Sequence, residues 1–172
     1  MISTERLDLR LPEERDREVF VELFGRSDFM VFSGGTLTPV DASSRFDQML
    51  ANAGEIPFAK QPVVERASGT IVGYCGVAWM DFEGRRWLEF GYRFTPAARG
   101  KGYATEAGQA LLAVAGRSFT GEILATIDPT NDASKRVASK LGFEYWKLAI
   151  VGGFEDEVHR LTIDGPPHPD PR

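Results

Sequence analysis

Apolar residues recur along this chain at two periods, and each change of period marks an element. Residues 6–11, RLDLRL, alternate apolar and polar, the pattern of a half-buried strand. Pro12, Glu13 and Glu14 then open a helix with acids at the positive end of its dipole. Val19, Phe20, Leu23 and Phe24 form its apolar face, and Gly25 predicts its end. The loop SGGTLTPV at 33–40 leads to a second helix carrying Phe46, Met49 and Leu50, with Asp41 or Ser43 as cap. From residue 58 the period shortens. FAKQPVVER, TIVGYCGVAWM and RRWLEFGYRF read as three strands joined at Ser68-Gly69 and Glu83-Gly84, an antiparallel meander. Helical spacing returns at Tyr103 and holds to Ala115, with Ala104, Ala107, Gly108, Leu111 and Ala115 on a narrow face suited to packing on a sheet. EILATI at 122–127 reads as a short buried strand, and 132–141 as a helix stopped by Gly142. FEYWKLAIV and EDEVHRLTI form two last strands around Gly152-Gly153.

The order β-α-α-β-β-β-α-β-α-β-β predicts an α/β (α+β) fold: a mixed, mostly antiparallel central sheet with helices on both faces. No repeat or linker interrupts it, so residues 1–164 are expected to form a single domain and 165–172 a frayed, proline-rich tail. The composition changes this picture little: 172 residues with 42% hydrophobic and 26% charged fit one globular domain. No apolar run reaches the roughly 18 residues of a membrane helix, and the charged start MISTERLDLR does not read as a signal peptide. Cys75 is the only cysteine, which excludes an internal disulfide and a cysteine-rich zinc site. Its apolar neighbours predict a buried, inert thiol, and a cytoplasmic location is expected. His159 and His168 lack metal-ligand spacing, so no metal is expected. A net charge of −5 argues against DNA as a partner, and no membrane partner is expected.

Candidate chemistry concentrates where RRWLEFGYRF runs into the helix at Tyr103. The connection Arg99-Gly100-Lys101-Gly102-Tyr103-Ala104 exposes backbone N–H groups at a helix N-terminus, beside two basic side chains and two glycines. Two readings stand: a phosphate site, or a glycine-rich turn with solvated basic residues. The pattern matches neither a P-loop nor a dinucleotide fingerprint. Upstream, Glu89, Gly91 and Arg93 share one strand face, opposite Leu88, Phe90 and Tyr92. Glu89 is either a general base or substrate anchor, or a structural carboxylate paired with Arg93 or another cation. Trp79, Trp87, Trp146 and Phe32 read first as core, second as an acceptor groove.

Arg99-x-x-Gly102-x-Ala104 resembles the Gln/Arg-x-x-Gly-x-Gly/Ala pyrophosphate loop of the GNAT superfamily of N-acetyltransferases. The wider pattern is most similar to the branch containing the ribosomal-protein N-terminal acetyltransferases. Its blocks keep the family order over residues 4–163: Thr4-Glu5-Arg6-Leu7 with Leu9-Arg10, Glu89-Phe90-Gly91-Tyr92, GKGYATEA at 100–107, Asn131-x-x-Ser134, and Lys140-Leu141-Gly142-Phe143. The resemblance implies a GNAT-like domain with acetyl-CoA as co-substrate. The amides of Gly100, Lys101, Gly102, Tyr103 and Ala104 would hold its pyrophosphate, complemented by Arg99 and Lys101. Its pantetheine arm would pair with Tyr92, Arg93 and Phe94, where the family splays two strands apart. Asn131 and Ser134, each also explicable as a helix-capping residue, would lie against the arm and near the sulfur. The implied reaction is direct attack of a primary amine, from a protein N-terminus or a small molecule, on the thioester. The alternative is a non-catalytic acyl-CoA sensor or scaffold. A peptide α-amine, with a pKa of about 7.7–8.0, needs a weaker base than lysine at about 10.4. Glu89 is the candidate base, acting through water, and Glu157 either contacts the amine or is a solvated strand residue. Many GNAT enzymes carry a tyrosine four residues beyond the serine; this chain has Ala138, leaving Ser134 or water to serve the departing thiolate. The family often forms dimers, so a homodimer is a possible assembly.

Overall fold

The N-terminal alternation folds as two short strands, β1 (Ile2–Ser3) and β2 (Leu7–Leu9), where the sequence pattern predicts one. Thr4 closes the turn between them, its N–H donating to the Leu7 carbonyl at 2.8 Å. The structure, a computed structural model, describes residues 1–165, so the proline-rich tail expected at 165–172 lies outside the described residues except for Gly165.

The first helix, α1 (Arg17–Phe24), begins later than Pro12 because a 3-10 turn (Glu14–Asp16) precedes it. Asp16 organises that turn: its carboxylate accepts from Glu13 N–H at 2.8 Å and from both terminal nitrogens of Arg10 at 2.7 Å. The second helix, α2 (Pro39–Glu55), is capped by neither Asp41 nor Ser43. Thr38 caps it, accepting from Asp41 N–H at 3.2 Å. Pro39 suits the first helical position because it has no N–H to leave unpaired, which puts the cap one residue before it.

The meander follows as β3 (Gln61–Glu65), β4 (Thr70–Phe82) and β5 (Arg85–Phe94), then α3 (Tyr103–Ala115), β6 (Gly121–Ile127), α4 (Asp132–Lys140), β7 (Glu144–Val151) and β8 (Phe154–Ile163). All eight strands join one sheet in the order β1-β2-β3-β4-β5-β6-β8-β7. Among the described strands, the β5–β6 pairing alone is parallel. Successive strand residues face opposite ways, so Tyr74 and Cys75 of β4 enter different cores. Tyr74 packs with Phe20, Phe24 and Phe46 of α1 and α2, whereas Cys75 lies in the core with Ala107, Leu111 and Ala115 of α3. Helices therefore cover both faces, and α3 buries the small-residue face its spacing predicts. Among the described residues, no helix is long and apolar enough to cross a membrane.

The feature that creates a site is the short contact between β5 and β6. Their register holds only Leu88 opposite Ile123 and Glu89 opposite Leu124. Beyond that point β5 stays with β4 as far as Phe94, and β6 stays with β8 as far as Ile127. The sheet thus forks after Glu89. Phe82, Trp87, Leu124 and Val158 pack beside the closed end of the fork.

Candidate functional site

Beyond Phe94 the chain passes through a short turn into α3, whose N-terminus is the expected anion site. Gly102 holds the N-cap position at φ 82° with no side-chain cap, so the first-turn N–H groups have no acceptor from a capping side chain. An L side chain is strained at that φ. A Cβ built at Gly100 would meet nothing within 4 Å, so the loop is open to an approaching group. A helix N-terminus with open, glycine-flanked amides fits a diphosphate.

The side chains around these amides brace the loop. Arg99 donates through Nε to the Phe94 carbonyl at 3.1 Å and through Nη2 to the Asp28 carbonyl, so two of its donors brace the loop. Lys101 lies 3.5 Å from Glu65, which also accepts from the Tyr103 hydroxyl at 2.7 Å. Those bonds, led by Tyr103, hold the Glu65 carboxyl below the usual range and push the Tyr103 phenol up. The side chains of Lys101 and Tyr103 therefore reach to β3. Arg6 donates to the Lys101 carbonyl at 2.9 Å and pairs with Glu106. Burial pushes the Glu106 carboxyl up, but bonds from Thr4 and Arg6 outweigh it and hold the group below its usual value. The N-terminal block Thr4 to Leu7 thus locks the first turn of α3 from outside.

At the fork, side chains of β5 line both faces. On the α4 face, Tyr92 donates its hydroxyl to Ser134 Oγ at 3.0 Å. Asn131 caps α4, accepting from Ser134 N–H at 3.1 Å, so the capping reading of that pair holds. Ala138 lies one turn further on and is buried.

On the opposite face Glu89 pairs with Lys60 at 3.0 Å, a cation that spacing along β5 does not reveal, and not with Arg93. Burial disfavours the Lys60 charge, yet the facing Glu89 carboxylate prevails and holds Lys60 above its ordinary value. The pair lies over Gly91: a Cβ there would come within 3.2 Å of both Glu89 Oε1 and Lys60 Nζ. Arg93 points into the loop between α1 and α2, donating to Met30 Sδ at 2.9 Å and to Ser33 Oγ. Together Arg93 and Arg99 tie residues 28–33 to β5 and to the anion loop.

Sequence reasoning missed Asp156. It is two residues from Val158, which packs with Trp87 and Leu124, so strand alternation puts it on the Glu89 face. Burial pushes its carboxyl up, and the negative charges of Asp128 and Glu89 push it further. Glu157 is half-buried and faces away from the Glu89 side. It lies 3.4 Å from Lys135 and 3.1 Å from His159. Only the pairing of β8 with β6 distinguishes these neighbours. Cys75 is buried as expected, and burial pushes its thiol up. Of the four aromatics read first as core, Trp87 is buried and Trp146 packs on it and Phe82. Trp79 and Phe32 are exposed, Trp79 lying under Arg86 on the meander.

Comparison with known proteins agrees with this geometry. Residues 6–144 match the acetyltransferase (GNAT) domain family. YnaD of Bacillus subtilis (strain 168), described as an uncharacterized N-acetyltransferase, is 30% identical over 170 residues, covering 95% of this chain and 96% of that protein. The crystal structure of a GNAT-family acetyltransferase from Bacillus anthracis superposes with a TM-score of 0.75 at 28% identity, covering 95% of this chain and 98% of that one. RimL, a ribosomal L7/L12 N-terminal acetyltransferase solved with coenzyme A, shares the fold with a TM-score of 0.76 at 14% identity, over 96% of this chain and 99% of that one. The chain belongs to the GNAT family of acetyl-CoA-dependent acetyltransferases.

Proposed function

We propose that the protein transfers an acetyl group from acetyl-CoA to a primary amine carried by a cationic acceptor, a peptide N-terminus or a small-molecule amine. One observation carries the reading: the fork after Glu89 leads along the free edge of β5 to an uncapped, glycine-flanked helix N-terminus. The amides of residues 100–104 would hold the pyrophosphate, and the backbone of Tyr92, Arg93 and Phe94 would receive the pantetheine arm. Acetyl-CoA, when bound, supplies an activated acyl carbon and a leaving thiol. The chain's own residues position and deprotonate the amine and exclude water.

Asp128 and Asp156 lie near the Lys60-paired Glu89 on the face opposite α4, and these carboxylates favour an acceptor that arrives as an ammonium. Of these, Glu89 is the candidate the strand pattern singles out, and its pairing with Lys60 suits it to anchoring the cation. Asp156, its proton affinity raised by burial and by the neighbouring Asp128 and Glu89 carboxylates, is better suited to take the amine proton. A Cβ at Gly34 would come within 2.8 Å of the Phe154 ring, so the β7–β8 turn and the α1–α2 loop meet above this face and bound the acceptor's approach.

The test is CoA release with acetyl-CoA over a panel of N-terminal peptides, polyamines and aminoglycosides. At least one amine is expected to turn over. Asp156→Asn should lower kcat about 100-fold and remove the limb of the pH profile assigned to the base. Glu89→Gln should act mainly on the KM of the amine. A panel on which nothing turns over while acetyl-CoA binds would refute the reading, and an unchanged pH profile in Asp156→Asn would return the base role to Glu89.

A further inference from the structure

The α4 face of the fork holds a hydroxyl pair that substrate binding alone does not explain. Tyr92 projects from the part of β5 that has parted from β6, Ser134 from the first turn of α4, and they meet at 3.0 Å. No local pattern brings together residues 42 apart, and the contact spans two elements that β5 and β6 have let diverge. Ser134 is held from two sides: its N–H donates to Asn131 Oδ1 at 3.1 Å, and its Oγ accepts from Tyr92. A serine hydroxyl has one hydrogen and two acceptor lone pairs. With Tyr92 donating, the serine hydrogen is left to be donated onward. Burial raises the Tyr92 phenol above its ordinary value, the Ser134 bond opposes this, and buried Cys75 opposite it on β4 adds to the rise. Tyr92 therefore stays protonated, and a donor, at any working pH near neutral. Ala138, one turn along α4, offers no hydroxyl of its own.

We propose that Tyr92 is a positioning residue for thiol departure: its hydroxyl orients Ser134 so that the serine O–H hydrogen-bonds the sulfur leaving the acetyl group. The proposal rests on the acetyl-CoA reading above. In the transfer the amine nitrogen bonds the acyl carbon, the carbon–sulfur bond breaks, and its electron pair leaves on sulfur. The amine's proton goes to the base and solvent, so Ser134 and Tyr92 end the cycle unchanged. Their part is to stabilise negative charge on sulfur, which a hydrogen bond to a charged atom does more strongly than one to a neutral atom.

The decisive measurement needs no acceptor. Coenzyme A is bound to the protein, and its thiolate is titrated by ultraviolet absorbance. Cys75, the only protein thiol, is buried with its pKa raised and stays silent. A free thiol titrates at about 8.5. In the wild type the bound thiol is expected about one unit lower. Ser134→Ala should return it to the free value, Tyr92→Phe should return at least half of the shift, and the double variant should add nothing to Ser134→Ala. Ser134→Thr keeps the hydroxyl and should keep the shift. With an accepted amine, Tyr92→Phe should lower kcat about 10-fold with the KM of acetyl-CoA unchanged. An unshifted thiol in the wild type, a wild-type value in Tyr92→Phe, or effects that sum in the double variant would each overturn the proposal. Should Tyr92→Phe melt below the assay temperature, Ser134→Ala alone must still abolish the shift, or the proposal fails. Absence of coenzyme A binding would instead refute the cofactor site, and absence of turnover with a shifted thiol would refute only the acceptor reading.

Discussion

Gly102→Glu is expected to abolish acetyl-CoA binding while leaving the protein folded. Gly102 sits at φ 82°, and the nearest atom a Cβ would meet is Arg6 Nη2 at 3.5 Å, so a side chain fits sterically. The cost to folding is the left-handed backbone, on the order of 1–2 kcal/mol. The cost to binding is far larger. A carboxylate at this N-cap would take the helix amides proposed to hold the pyrophosphate and would repel its negative charge at short range. Ligand at 100 times its Kd raises wild-type stability by about 2.7 kcal/mol, so a clear rise in Tm is expected with acetyl-CoA, and none in Gly102→Glu. Gly102→Ala separates the two effects: it carries the backbone strain without the charge and should keep measurable binding. Equal affinity in Gly102→Glu and wild type would remove the loop from the site.

The second large effect concerns Lys60. Lys60→Met leaves Glu89 without its cation in a largely buried place, with side-chain exposures of 24% and 17% for the two residues. Breaking a fully buried pair costs about 3–5 kcal/mol; with this residual exposure about 2–3 kcal/mol is expected. For a chain of 172 residues that corresponds to a fall in Tm of roughly 5–10 °C. Lys60→Met with Glu89→Gln should recover much of the loss, because no unpaired charge then remains. The pH dependence has a definite sign. Lys60 is held above its ordinary value in the folded state. Its contribution is therefore complete below the unfolded lysine pKa of about 10.4 and fades as pH rises through the higher folded value. Wild type should lose the Lys60 contribution on the alkaline side, and Lys60→Met should lack that loss. If Lys60→Met melts like wild type at neutral pH, the pair contributes nothing to the fold.

These two residues also show how far the sequence could be read. Gly102 is legible because its meaning is local: a glycine between strand and helix, flanked by basic residues, has few uses. Lys60 is not, because nothing along β5 points to a cation in the bend before β3. The strand alternation correctly puts Glu89 and Arg93 on one face, but residues on a shared face need not touch, and Arg93 is drawn to Met30 and Ser33 instead. The α2 cap is a miss of a different kind. Pro39 at the first helical position puts the cap at Thr38, a local signal that outranks the cap preference of Asp41 and Ser43.

By itself the sequence determined most of the strands and helices, the face that α3 buries, and the glycines that flank the N-terminus of α3. All of these follow from period, glycine placement and charge within a few residues. Only the tertiary structure decided that β5 and β6 part after Glu89, that Asp156 and not Glu157 faces that carboxylate, and that Tyr92 meets Ser134. Each depends on strand register or on two elements distant in sequence. A shift of one residue in register would turn the opposite set of side chains toward the site.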